Sequence, residues 1–288
     1  MKARFYTSVH ADVVNKMTQA EKRANEIAME KGASLWLTTI PLVDKDYHLS
    51  KREFWNAISI RYTWPLTRLP SKCPCGDTFS LQHALKCQKG GFLIQRHNEL
   101  RDLTADLLAE VCKDVAVEPI LESLSGETFE LASAIRSDEA RLDVSARGFW
   151  TRGQRAFFDV KVFDPNAQRY SGQSLSQCYI TNEKDKKRAY NERVREVENG
   201  TLTPLVFSCY GGMSSECSHF FKRLCSLLAE KRDENLSLTT SWVRRKISFA
   251  LLRSCLMCVR GTRHRYYKYK FSDIDVECET KEIWVEPM

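Results

Sequence analysis

The sequence predicts an α/β fold with a mixed sheet, in the order helix, three strands, helix, strand, helix. Three observations predict it. Residues 92–112 repeat apolar side chains at helical spacing, with Leu100, Leu103, Leu107, Leu108 and Val111 on one side. Three short apolar runs then follow: Val115 to Ile120, Ala140 to Ala146, and Arg155 to Phe163. A charged, helix-forming stretch at 175–198 separates these from a fourth run, Thr203 to Cys209, and such interleaving lays helices against a sheet.

The bulk composition bounds the function classes. A chain of 288 residues is long enough for one or two domains with a core of their own. With 43% hydrophobic and 28% charged residues, disorder along the whole chain is excluded. The net charge of +7 permits a polyanionic partner without establishing one. Eleven cysteines are too sparse for a disulfide framework, and Met1-Lys2-Ala3-Arg4 does not open a secretory leader. The apolar run Phe249 to Val259 is broken by Arg253 and is too short for a bilayer, so no membrane partner is expected. An intracellular, reducing setting follows, in which clustered cysteines point to metal.

In chain order, residues 1–70 read as a helical region. A helix at 11–31 stops at Gly32, and the capping box Ser50-Lys51-Arg52-Glu53 opens a second helix that runs to about Tyr62. Pro65 and Pro70 end it. A cysteine-rich module occupies 71–91 and closes at Gly90-Gly91. The α/β core spans 92–235. Within it 122–138 is a polar connection, Gly148 to Gly153 turns the second strand into the third as an antiparallel hairpin, and Gly211-Gly212 follows the fourth strand. A helix at 214–231 ends the core. A further helix lies in 236–262. Residues 263–288 open with the basic, aromatic run Arg263-His264-Arg265-Tyr266-Tyr267-Lys268-Tyr269-Lys270, read either as a mobile terminus or as an arm that stacks on nucleic acid.

The chemistry centres on Asp159-Val160-Lys161. Strand alternation puts Asp159 and Lys161 on one face, with Phe158, Val160 and Val162 on the other. Asp-x-Lys or Glu-x-Lys also occurs at Asp185-Lys187 and Glu279-Lys281, but neither copy lies in a strand pattern. In the hairpin, Asp143 falls between Leu142 and Val144 and comes beside Asp159. Two carboxylates at that range repel unless a cation or a proton relieves them. The pair suits Mg²⁺ or Mn²⁺, with Lys161 orienting or deprotonating a water, or stabilising an anionic transition state. The alternative is a ladder of ion pairs on a solvated sheet face. Glu118 is a third acid on the preceding strand, equally readable as a structural carboxylate beside Pro119.

Cys73-Pro74-Cys75, His83 and Cys87 form a compact set of four soft ligands. His83 and Cys87 stand at i and i+4 of a short helix, and Gly76 permits a tight turn. Three thiolates and an imidazole suit a closed tetrahedral zinc site, whose metal would supply much of the module's folding energy. The remaining cysteines are scattered and read as packing residues. Arg96-His97-Asn98 opens the next helix, where His97 is a candidate for phosphate or metal contact. Lys184 to Arg188 offers cations for a nucleic-acid backbone, with Lys187 and Tyr190 on one face.

Taken together, Cys73, Cys75, His83 and Cys87, then Arg96-His97-Asn98, Glu118-Pro119, Asp143, Asp159-Val160-Lys161 and the Lys187/Tyr190 pair resemble a known family. This is the carboxy-terminal end of early-branching, site-specific non-LTR retrotransposon proteins: a zinc knuckle followed by a restriction-like endonuclease of the PD-(D/E)XK superfamily. The resemblance covers about residues 33–260. It implies a PD-(D/E)XK core and a structural Zn²⁺, together with Mg²⁺- or Mn²⁺-dependent nicking of target DNA to prime reverse transcription. It implies Asp143, Asp159 and Lys161 as the catalytic set, with Glu118 as an accessory acid and Arg96, His97, Lys187 and Tyr190 towards nucleic acid. DNA, element RNA and the parent element's reverse transcriptase are the implied partners, and the nucleus the implied location. This chain has Leu142-Asp143 where the family has Pro-Asp, and 15 residues between Asp143 and Asp159. It carries no Tyr-x-Asp-Asp motif of a reverse transcriptase and so reads as a piece of a larger element protein. The alternative function is a catalytically inactive nucleic-acid-binding zinc module derived from such an element.

Overall fold

Thr18 and Ser50 open the first two long helices by the same device. Each accepts a hydrogen bond from a backbone N–H three residues on, while Glu21 or Glu53 reaches back, a capping box in both cases. These helices are α1 (Gln19–Met29) and, after a short α2 (Leu35–Thr38), α3 (Lys51–Arg61). The computed structural model describes residues 13–41, 45–122 and 140–263. The rest of the 122–138 connection and the basic tail from His264 lie outside the described residues.

The chain continues through α4 (Leu81–Ala84) and α5 (Phe92–Val111) into the strands β1 (Lys113–Val117), β2 (Val144–Arg147) and β3 (Arg155–Phe163). Then come α6 (Leu175–Glu196), β4 (Thr201–Ser208), α7 (Ser215–Arg232) and α8 (Leu236–Arg260). The strands lie in the order β1-β2-β3-β4. β1–β2 and β2–β3 are antiparallel, and β3–β4 is parallel, with α6 making the crossover. The α/β class and the mixed sheet are therefore as the sequence predicts.

Two boundaries differ from the expectation. The first two strands were expected to reach Ile120 and to begin at Ala140. Regular pairing instead ends at Val117 and starts at Val144. A bulge between Lys113 and Ala116 and left-handed backbone at Asp114 and Glu118, each with φ of 50°, distort this edge. Glu118 N–H still donates to Asp143 O (2.9 Å), and Leu142 N–H to Pro119 O (3.3 Å), so the two segments stay side by side. β4 begins earlier than expected, at Thr201, and carries Pro204 opposite Asp159. A proline has no N–H to give, and β4 tolerates it because it is the edge strand.

β3 is covered on both faces. Phe158 and Val160 enter the main core with Leu107 and Leu108 of α5, Phe220 and Leu224 of α7, and Val243 and Ile247 of α8. Phe157 and Phe163 point the other way: Phe157 packs with Val194, and Phe163 with Tyr179 and Cys178, all on α6. The helix at 236–262 is not an appendage. Ile247 and Leu251 belong to the sheet core, while Phe249, Leu252, Leu256 and Val259 pack with Trp36, Ile60, Phe79 and Cys73. α8 thereby joins the N-terminal helices and the cysteine module to the sheet. Among the described residues no helix is long and apolar enough to cross a membrane.

Phe220 sits at the centre of this packing, its ring centroid 4.8 Å from those of both Phe149 and Phe158. Phe220→Ala leaves a cavity there and is expected to cost about 3–5 kcal/mol of stability, read from the shift of a urea unfolding midpoint.

Candidate active site and metal centre

The β2–β3 hairpin sets the acid pair. Val144 pairs with Phe158, which brings Asp143 alongside Asp159 at the point where regular β2 begins. Asp143 Oδ2 accepts from the Val160 N–H at 2.6 Å, and Oδ1 lies 2.8 Å from His97 Nε2. Asp159 is buried. Its Oδ1 accepts from Lys186 Nζ at 3.1 Å, and its Oδ2 lies 2.8 Å from the same ammonium without an aligned hydrogen bond. The two carboxylates also face each other closely enough to share a proton.

Their electrostatics diverge. Burial pushes Asp159 up to about 7, against the pull of Lys186 and with the help of the neighbouring Asp143 charge. Burial also works against ionising Asp143, but the His97 contact and the Val160 N–H outweigh it and hold this carboxyl below its usual value. One acid is thus kept ionised beside another that holds its proton near neutrality, a split of the kind found in acid–base sites. Lys161 is half-buried on the same strand face. Burial lowers its pKa, and Lys186 and Arg169 lower it further. Among the described residues its ammonium makes no hydrogen bond or ion pair.

Lys186 is the residue the sequence reading missed. The reading chose Lys187 to share a face with Tyr190. Lys187 instead pairs with Glu216 of α7 at 2.6 Å, because it lies one helical position round from the sheet. Lys186 and Tyr190 are the i, i+4 pair, with Nζ 5.9 Å from the Tyr190 ring. The signal was present: Tyr179, Glu183, Lys186, Tyr190 and Val194 recur at steps of three and four, the stripe that α6 turns to the sheet.

Four further expectations are corrected or narrowed. Arg96 was expected to face nucleic acid but is 5% exposed. Its guanidinium is turned inward to the Leu85 carbonyl, at 3.5 Å, which leaves it no phosphate-facing surface. Glu118 does not turn to the acid pair: its carboxylate is held by Arg101, with Arg141 3.9 Å away, so the structural alternative describes it. His97 reaches Asp143 itself, as a partner that orients the carboxylate. Asp159 and Lys161 do not form a solvated ladder, since Asp159 is buried beneath α6.

The donors of the acid pair are two carboxylates, one with an oxygen lacking an aligned hydrogen bond, and no sulfur. That set fits Mg²⁺ or Mn²⁺, which take oxygen ligands and retain water.

The cysteine module is a candidate metal centre of a different kind. Ligand atoms of Cys73, Cys75, His83 and Cys87 all lie within 4.8 Å of one another. Cys73 Sγ and Cys87 Sγ are 3.7 Å apart, close to the edge of about 3.8 Å in a tetrahedron with Zn–S of ~2.3 Å. His83 presents Nε2 to Cys75 Sγ at 3.3 Å and Nδ1 to Asp77 Oδ2 at 3.4 Å, the carboxylate backing that fixes a ligating imidazole. Gly76, at φ 103°, donates its N–H to Cys73 O and closes the turn that brings Cys73 and Cys75 together. Burial alone would raise the Cys73 thiol, but hydrogen bonds from the Cys75 backbone, His83 and the other thiols bring it down to about 7. The cluster can hold a metal such as zinc. The other described cysteines are free, and most are buried in the core, as packing residues are.

No protein-family model matches this chain, and a search of curated proteins finds no match.

Two outcomes follow from this geometry. The purified protein is expected to carry about one zinc per chain, measured by atomic emission. Chelation or Cys87→Ser should remove it and lower the melting temperature of the whole chain, because Cys73, Phe79 and Ala84 share a core with α8. Asp159 predicts a pH signature. It binds its proton more tightly folded than unfolded, so between about pH 4 and 7 the native state holds more protons and stability falls as pH rises. Asp159→Asn should remove that slope when urea midpoints are compared at roughly pH 5 and pH 8 without added Mg²⁺ or Mn²⁺. An unchanged slope would contradict the assignment.

Proposed function

We propose that this chain is a divalent-metal-dependent endodeoxyribonuclease with a PD-(D/E)XK-type core and a structural zinc knuckle. In this reading it nicks target DNA for integration of a non-LTR retrotransposon, works in the nucleus, and depends on a reverse transcriptase supplied by the parent element. The single observation that carries the reading is the convergence of the Asp143 and Asp159 carboxylates, the second of them buried, oppositely shifted and flanked by Lys161.

Asp143 and Asp159 would hold Mg²⁺ or Mn²⁺, which when bound supplies Lewis acidity towards a phosphodiester. The chain's own residues account for the rest. His97 and the Val160 N–H fix the orientation of Asp143. Lys161, with its pKa lowered by burial, is placed to orient water or to meet charge developing on the phosphate. Lys186 lies against Asp159 before substrate arrives, and its ammonium sits 5.9 Å from the Tyr190 ring.

One observation favours the second reading, a nucleic-acid-binding module without activity. Lys186 sits within ion-pair distance of both Asp159 oxygens and already provides a cation there. A supercoiled-plasmid nicking assay separates the two. With Mg²⁺ or Mn²⁺ the wild type should nick, and Asp143→Ala and Asp159→Ala should each lose about 10³-fold. Duplex binding without cleavage by the wild type in either metal would leave the module reading.

A further inference from the structure

Far from the acid pair in sequence, α3 and the turn after it display aromatic rings that the core does not use. Trp55 is 55% exposed, and Tyr62 and Trp64 are each 49% exposed. They are not scattered. The Tyr62 and Trp64 rings stack at 5.3 Å and 30°, and Trp64 lies 6.1 Å from Trp55. Contiguous exposed aromatic surface of this kind marks a binding face rather than a solvated one.

The face is rigid. Tyr62 N–H donates to Ile58 O at 3.0 Å and Trp64 N–H to Ser59 O at 2.8 Å, with Thr63 between them in left-handed backbone at φ 55°. Arg260, at the end of α8, ties the segment down through Arg68 O (3.0 Å), Thr67 O (2.9 Å) and Asn56 Oδ1 (2.7 Å). Arg61 lies 5.6 Å from the Tyr62 ring and anchors to Ser34 and the Ala28 carbonyl. The backbone that carries the rings is therefore tied down by hydrogen bonds on both sides of the turn.

The charge around the rings has one sign. Residues 51–72 carry Lys51, Arg52, Arg61, Arg68 and Lys72 against Glu53 alone, five cations to one acid. Glu53 is committed to the Ser50 cap. Arg52 and Arg68 are exposed, and among the described residues neither side chain enters an ion pair. A cleft of about 1070 Å³ adjoins the face, with Arg61, Trp64, Gln168 and Gln173 among the residues that line it.

We propose that Trp55, Tyr62 and Trp64 form a stacking site for unpaired nucleotides, with Arg52 and Arg68 taking the backbone phosphates. Exposed π-faces accept any base, and cations beside them track the strand, which is the chemistry of sequence-tolerant single-strand binding. A duplex keeps its bases stacked on each other and offers the rings nothing, so the site discriminates single strands from duplex. The proposal stands on this surface alone and does not depend on the nuclease reading.

The test is fluorescence anisotropy of a labelled oligothymidylate and of a duplex of equal length, with the full chain in its zinc-bound form. Trp55→Ala and Trp64→Ala are each expected to weaken single-strand binding roughly tenfold, with duplex binding unchanged. Arg52→Gln/Arg68→Gln should flatten the dependence of single-strand affinity on salt. Trp64→Phe should retain most of the affinity, which controls for an alanine variant that fails to fold. Single-strand affinity that survives both alanine variants overturns the proposal. So does a self-associating wild type, seen by sedimentation velocity, that Trp64→Ala turns monomeric with its oligonucleotide affinity intact.

Discussion

The ion pair between Asp159 and Lys186 is the constraint around which the sheet is organised. β3 lies inside the sheet, pairs on both sides, and is covered on both faces. Placing a carboxylate in the middle of such a strand is costly unless the charge is met. Lys186 meets it from α6, and its ammonium reaches both carboxylate oxygens. That contact requires α6 to lie over the strand in one rotational setting. The same setting brings Tyr179 onto Phe163 at one end of the helix and Val194 onto Phe157 at the other. Apolar packing at the two ends and an ion pair between them thus specify one arrangement of the crossover.

The cysteine module is bound to this arrangement through buried cations as well as apolar contacts. It is too small for a core of its own, so its apolar residues pack on α8 and the N-terminal helices. Arg263 donates to the Ala84 carbonyl at 3.2 Å and to the Cys258 carbonyl, and lies 5.1 and 4.9 Å from the Phe79 and Phe92 rings. Arg96 reaches the Leu85 carbonyl, and its charge is also felt at Lys161 and Asp164. A buried guanidinium needs carbonyl and aromatic partners, and here the ends of the module supply them. Packed and charged contacts thus join the cysteine module to the body of the protein.

What the sequence disclosed depended on how local the determining physics is. Capping boxes at Ser50 and the apolar alternation of 155–163 are settled within a few residues, and both appear where they were expected. The ligand spacing of Cys73, Cys75, His83 and Cys87 was equally local. The hairpin partnership of Asp143 and Asp159 needed only a short turn. Lys186 was lost to a phase error of one residue, since Lys187 is 100° round the helix and nothing local distinguishes two adjacent lysines; the buried stripe from Tyr179 to Val194 would have done so. Arg96 was misjudged for a different reason. Its surroundings come from segments far away in sequence, and burial of that kind has no signature in a charged tripeptide. Glu118, open in the sequence between a third acid and a structural carboxylate, is the latter through backbone geometry: its left-handed φ breaks the alternation that would have aimed it at the acid pair.

Lys186 also defines what divides the two functional readings in physical terms. A cation of either kind can relieve the repulsion between Asp143 and Asp159, but a lysine does so with one charge tethered to a helix. A divalent ion brings two charges and open positions for water and a phosphate. Asp159 is still pushed up to about 7 with Lys186 in place, so the lysine alone does not satisfy the pair. In the proposed reading a divalent ion bound there would displace the proton that burial holds on Asp159. A site that had become purely structural would gain by losing that residue of strain, through an asparagine at one acid or a tighter contact to the lysine. Both acids are present with Lys161 beside them, the arrangement that the proposed catalytic reading requires.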